Sequence, residues 1–129
     1  MDVERLLWVT LGSAIGGALR YLTSQLALAL LGSSFPYGTL AVNLIGSFLI
    51  GLTMHVGLAS NLLSPTLRLF LTSGVMGGFT TYSAFNYETL ALLREGPWEF
   101  GLLNVAVTVV GCLAAGIAGL ALGRSLVGV

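Results

Sequence analysis

The residues best suited to chemistry stand in one stretch, positions 74 to 88, which reads GVMGGFTTYSAFNYE. Glycines, hydroxyl side chains, aromatic rings and a carboxylate are combined here inside an otherwise apolar region. Glycine and threonine weaken a regular helix, and hydroxyl groups can satisfy the backbone groups that a break exposes. Broken helices of this kind present carbonyl groups to cations and N–H groups to anions. The stretch therefore predicts an ion site, without indicating which ion occupies it.

Two further polar side chains are candidates for the same site. Asn43 lies in GTLAVNLIGSFLIG, and its amide offers two N–H donors without net charge, which suits a small hydrated anion. The alternative for Asn43 is a structural hydrogen bond between helices. Glu88 lies one helical turn beyond Phe85, so it would line a vestibule or, alternatively, lie at the surface near the end of the helix.

The composition indicates which elements must position these residues. Of the 129 residues, 56% are hydrophobic and 8% are charged, which lies outside the usage of soluble domains. About 20 apolar residues cross a membrane as a helix. We predict an all-α integral membrane protein with a single transmembrane domain, residues 1–129. Its four spans are predicted at roughly 5–31, 39–58, 65–94 and 97–125.

The third span is predicted to be two half-helices that meet near the centre of the membrane. A continuous helix with small residues at a packing seam is the alternative. Polar side chains in a span normally face protein or water, and four thin helices enclose little space. A homo-oligomer is therefore expected, most simply a dimer. Glycines such as Gly12, Gly16 and Gly46 allow close helix approach, either between subunits or within one subunit.

Arginine supplies all five cationic side chains, and their distribution bears on orientation. An even number of spans places Arg5, Arg68 and Arg124 near one membrane face and Arg94 near the other. This bias is slight, so the chain could insert in either orientation, or place both ends in the cytoplasm. Arg20 falls within the first span, where it would raise the potential near a pore mouth or fill a structural role at a helix end or interface.

Several classes of protein are disfavoured by the residue pattern. No Ser-His-Asp set, metal-ligand cluster or phosphate-binding loop is visible, so no enzyme is expected, and no basic patch suggests nucleic acid as a partner. A small dual-topology multidrug-type exporter would need an acidic residue deep in the first span, whereas residues 6–31 contain no Asp or Glu. A non-transporting membrane assembly protein would not need a polar break. Both classes remain alternatives to an ion pathway.

Three motifs together resemble a known family: GGALRY at 16–21, PYGTLAVNLIGSFLIG at 36–51 and GGFTTYSAF at 77–85. In this order on a four-span chain they resemble the Fluc family of bacterial fluoride channels over essentially the whole length. The resemblance implies an antiparallel, dual-topology homodimer in the cytoplasmic (inner) membrane. It also implies passive export of fluoride through two pores, which protects the cell from fluoride toxicity, and a central structural sodium ion at the dimer interface.

Roles for individual residues follow from this resemblance. The sodium ion would be bound by the backbone carbonyls of Gly77 and Thr80 from both subunits. The aromatic pair of the pores would be Tyr82 and Phe85, whose ring edges carry positive quadrupole density that attracts an anion without a tight grip. Weak, repeated sites suit conduction.

The sequence departs from the family's usual pattern at several positions. Tyr82 stands where the family typically has Phe, and Ala84 shortens a run of hydroxyl residues that Ser83 begins. Asn104 stands where many relatives carry Tyr, and Thr108 where Ser is common. The predicted fluoride pathway comprises Asn43, Tyr82, Ser83, Phe85, Glu88, Asn104 and Thr108.

Overall fold

The computed structural model of the protein describes residues 1 to 128, and this range is built from helices and short connections. The elements are α1 Val3–Leu31, α2 Tyr37–Ala59, α3 Pro65–Leu69, a π-helical segment Phe70–Met76, α4 Gly77–Phe79, α5 Tyr82–Glu95 and α6 Trp98–Val127. By length and composition, α1, α2 and α6 could each cross a membrane. The all-helical prediction is confirmed, and the helix limits lie within two residues of the predicted spans.

The ends of the helices follow from local sequence. Asp2 and Ser64 cap α1 and α3, because each side chain accepts a hydrogen bond from a backbone N–H in the first turn. Gly32 and Gly96 end α1 and α5 with positive φ angles of 81° and 78°, a conformation that glycine adopts without steric cost.

The third helical segment, α3 to α5, is interrupted at Thr80 and Thr81. Thr80 has φ −86° and ψ 159°, and Thr81 has φ −152° and ψ 117°, so both are extended. The prediction of a broken helix is therefore confirmed. The π-helical segment before the break is not foreseen by the sequence analysis. There the Thr72 hydroxyl donates to the Arg68 carbonyl at 2.8 Å, a bond of the kind that loosens the helical ladder.

Glycines hold the helices of one subunit close together. α1 packs on the π-helical segment and α4, and α2 packs along α6. A methyl group at Gly12 would lie 2.7 Å from the Phe70 carbonyl oxygen, and one at Gly51 would lie 2.5 Å from the Gly116 carbonyl oxygen. Such approaches need a residue without a side chain. At these positions the glycines pack helices of the same chain against each other.

Candidate functional site: a groove at the helix break

The break faces a groove of ≈ 840 Å³ between α2, the third helical segment and α6. The predicted site residues that line the groove are Asn43, Gly77, Thr80, Tyr82, Phe85 and Thr108. Residues far apart in the sequence are thus brought to one surface at the middle of the third segment. The groove lies on the outside of the folded chain, and an apolar surface and irregular backbone meet there.

Asn43 holds the backbone of the break through two reciprocal hydrogen bonds. Its Nδ2 donates to the Thr81 carbonyl at 3.1 Å, and its Oδ1 accepts the Thr81 N–H at 2.9 Å. Since one bond needs the nitrogen and the other the oxygen, the amide orientation is fixed by its partners. The structural hydrogen bond considered for Asn43 is therefore present. One of the two Nδ2 hydrogens is used in it.

At the break, two backbone carbonyls lose the N–H groups that would donate to them in a regular helix. In a continuous helix the Thr81 N–H would bond the Gly77 carbonyl, and the Ala84 N–H would bond the Thr80 carbonyl. Here the Thr81 N–H bonds Asn43, and the Ala84 N–H bonds the Thr81 hydroxyl at 3.2 Å. The two carbonyls predicted as cation ligands are thus among those at the break that lack their usual helical donors.

The aromatic pair at the start of α5 contributes two different surfaces to the groove. Phe85 is 9% exposed within the subunit, whereas Tyr82 is 79% exposed. The ring centroids lie 5.7 Å apart at an interplanar angle of 67°, an edge-to-face arrangement. Phe85 is therefore held by packing, while the Tyr82 ring lies at the rim of the groove.

Asn104 and Ser83 lie outside the groove lining, whereas Thr108 lines the groove with its hydroxyl engaged in a hydrogen bond. Asn104 is 1% exposed and donates from Nδ2 to the Thr89 hydroxyl at 2.9 Å, inside the α5–α6 contact. The Thr108 hydroxyl donates to Asn104 Oδ1 at 3.3 Å, so its hydrogen is directed at Asn104 and not into the groove. Ser83 is exposed and shares a hydrogen bond of 3.3 Å with the Thr81 hydroxyl.

Glu88 belongs to a second cavity of ≈ 400 Å³, between the α1–α2 turn and α5. Its Oε1 accepts a hydrogen bond of 2.6 Å from the Thr39 hydroxyl, and the carboxylate is half-buried. Glu88 therefore lines a cavity apart from the groove, and its role in a vestibule stays a prediction. Thr39 is not among the residues predicted from the sequence, although it lies one helical turn before Asn43 in the same motif.

Arg20 also reaches the break. Its Nε donates to the Gly78 carbonyl at 3.1 Å, at the end of α4. This contact matches the helix-end role considered for Arg20. With Asn43 on the other side, the break is held by one polar side chain from α1 and one from α2.

Comparison with known proteins identifies the family. Residues 7–120 match the family described as CrcB-like protein, Camphor Resistance (CrcB). The chain belongs to this family. Relatives of this CrcB-like chain are named fluoride-specific ion channels. The resemblance to the Fluc family that the three motifs indicate is therefore confirmed.

Two of those relatives illustrate the likeness. A protein of Sorangium cellulosum (strain So ce56) named "Fluoride-specific ion channel FluC" is 51% identical over 125 residues, which cover 97% of this chain and 98% of the relative. A protein of the same name from Anaeromyxobacter dehalogenans (strain 2CP-1 / ATCC BAA-258) is 54% identical over 126 residues, covering 98% of this chain and 100% of the relative. The CrcB-like chain is thus similar to these proteins from end to end.

Proposed function

We propose that this chain forms a passive, fluoride-selective channel in the cytoplasmic membrane of a bacterium. The observation that carries the proposal is the groove at the break, where an oriented amide, an aromatic ring and two carbonyls without their usual donors meet. Full-length similarity to relatives named fluoride-specific ion channels supports the choice of ion. Those names describe ion channels, which agrees with the prediction that the chain is not an enzyme.

The anion pathway would run along the groove past Asn43 and Phe85. One Nδ2 hydrogen of Asn43 bonds Thr81, and the other is available to an anion. Because the amide is fixed at both of its ends, it can replace part of a hydration shell without reorganising. The Phe85 ring edge adds a weak attraction that does not trap the ion. Thr108 contributes less, since its hydroxyl hydrogen is directed to Asn104.

The central cation would be a sodium ion bound by the Gly77 and Thr80 carbonyls. Oxygen ligands suit hard cations, and both residues line the groove. Their usual backbone donors bond Asn43 and the Thr81 hydroxyl instead. One subunit offers two such carbonyls, so two copies facing each other would supply four. When bound, the ion would neutralise the partial negative charge of these carbonyls and join the two subunits.

A second copy of the chain is the proposed cover of the groove. Irregular backbone is not tolerated against lipid, so the extended peptides of Thr80 and Thr81 need protein or water beside them. A two-fold symmetric contact would bury both breaks at once. The slight arginine bias supports insertion in both orientations and hence an antiparallel pair, with one pore on each side of the cation.

Fluoride transport provides the first test. Proteoliposomes that contain the purified protein should release fluoride down its electrochemical gradient, with chloride release much slower under the same gradient. A fluoride-selective electrode measures the release, and protein-free liposomes give the background. With potassium and valinomycin supplying the balancing charge, a protonophore should leave the rate unchanged, because the pathway is passive. Release that stops when the proton gradient is collapsed would indicate a coupled transporter instead.

Subunit orientation provides the second test. In a Cys112→Ala background, Asn61→Cys marks the α2–α3 turn and Glu99→Cys marks the opposite end of the subunit; both positions are exposed. In intact spheroplasts, an impermeant maleimide should label about half of the copies at either position, since antiparallel insertion presents each end to both sides. Native mass spectrometry should then find one label on each dimer. Dimers with two labels or none would show a parallel arrangement.

A further inference from the structure

Arg20 of α1 makes an unusual contact with the end of α4. Its Nε donates to the Gly78 carbonyl at 3.1 Å. In a continuous helix this carbonyl would accept the Tyr82 N–H, but the extended Thr80 and Thr81 carry the chain away. Residues 6–31 hold no acidic side chain, so within α1 the guanidinium has no counter-ion. The arginine is paired with a backbone carbonyl.

The contact fixes the rotation of the helix end. Gly78 is pressed against α1, because a methyl group at Gly78 would overlap the Ser13 carbonyl oxygen. Gly77 and Thr80 lie about 100° and 200° around the helix axis from Gly78. Both line the groove, on the side away from Ser13. A contact that holds the Gly78 peptide against α1 therefore also determines the direction of the Gly77 and Thr80 carbonyls.

We propose that Arg20 is a positioning residue for the central cation. By binding the Gly78 carbonyl it removes this oxygen from the set of available ligands and keeps the Gly77 and Thr80 carbonyls turned into the groove. The inference rests on the proposed cation site. Arg20 acts through the backbone and contacts neither the cation nor fluoride. Glycines at 77 and 78 make such a restraint useful, since without a Cβ atom their backbone is less restricted by its own sequence than that of other residues.

A role in electrostatics alone predicts a change of the opposite sign. The guanidinium and the cation would both lie at the C-terminal end of the first half-helix, where the helix dipole favours positive charge. Two like charges in a medium of low dielectric repel each other. If charge alone mattered, removing Arg20 would strengthen cation binding. If positioning matters, removing Arg20 should weaken it.

The test compares Arg20→Met with a matched variant, Arg68→Met. Arg68 is also half-buried and donates from Nη1 to the Gly57 carbonyl at 3.0 Å, but it lies away from the break. The thermal unfolding midpoint of the purified dimer is measured as sodium chloride replaces N-methylglucamine chloride at constant ionic strength. We expect the sodium concentration for half-maximal stabilisation to rise about tenfold in Arg20→Met, the effect of losing one charge-assisted hydrogen bond. In Arg68→Met it should stay at the parent value.

Each other result overturns a defined part of the proposal. An unchanged or lower half-maximal concentration in Arg20→Met removes the positioning role, and a lower one assigns Arg20 a role through charge. If Arg20→Met does not fold, Arg20→Lys keeps the charge but loses the Nε donor; a rise of about threefold supports the proposal and no rise overturns it. A parent protein that conducts fluoride but does not respond to sodium overturns the cation site and this inference together, and leaves the fluoride pathway standing.

Discussion

Replacing Phe85 by isoleucine should reduce fluoride efflux per folded dimer about 100-fold, which corresponds to about 2.7 kcal/mol in the barrier. Isoleucine keeps the side chain large and apolar but removes the ring, and with it the positive edge that would face the anion. Phe85 lines the groove and is only 9% exposed, so the replacement stays packed in the same place. The measurement is the initial efflux rate from proteoliposomes, divided by the dimer content from gel filtration.

Phe79→Ile is the matched control for this experiment. Phe79 lies in the same helical segment and is 6% exposed, but it does not line the groove. A similar apolar replacement in a packed interior costs under about 1.5 kcal/mol, so both variants should lose a similar amount of stability while only Phe85→Ile loses flux. Tyr82→Phe should retain flux or increase it, because it deletes a hydroxyl at the rim. Full flux in Phe85→Ile would remove Phe85 from the pathway and leave Asn43 as the main candidate.

Replacing Gly16 by alanine should destabilise the subunit by about 2 to 3 kcal/mol, the upper part of the range for overpacking. A methyl group at Gly16 would overlap the Val75 carbonyl oxygen and lie 2.8 Å from the Phe79 nitrogen. Both are backbone atoms of the third helical segment, so no side chain can move aside to relieve the clash. α1 would have to move away from the segment that carries the break, and the thermal unfolding midpoint measures the cost.

Gly17→Ala tests the same substitution one position further along the helix. Apart from its chain neighbours and the adjacent backbone of α1, a methyl group at Gly17 would meet no heavy atom within 4 Å. Alanine is also the better helix former, so the subunit should be unchanged or slightly more stable. If both variants lost the same amount of stability, the contact of Gly16 with Val75 would not explain the loss. The packing account of Gly16 would then be wrong.

Helix boundaries and the break could be predicted from local sequence, for identifiable physical reasons. Long apolar runs fix the number of helices, and Pro and Gly mark their ends. The Gly77–Gly78 pair followed by two threonines lowers helix preference enough to predict an interruption, and the structure places it at Thr80 and Thr81. These properties depend on residues within one or two turns of each other.

The partners of the polar side chains were decided only by tertiary structure. Asn43 meets Thr81 across 38 positions, and Arg20 meets Gly78 across 58. Each contact depends on how far the helices are rotated about their axes, and a shift of one residue turns a side chain by about 100°. The sequence indicated that Asn43 and Asn104 were polar residues inside a membrane protein. Helix packing placed one at the break and buried the other between α5 and α6.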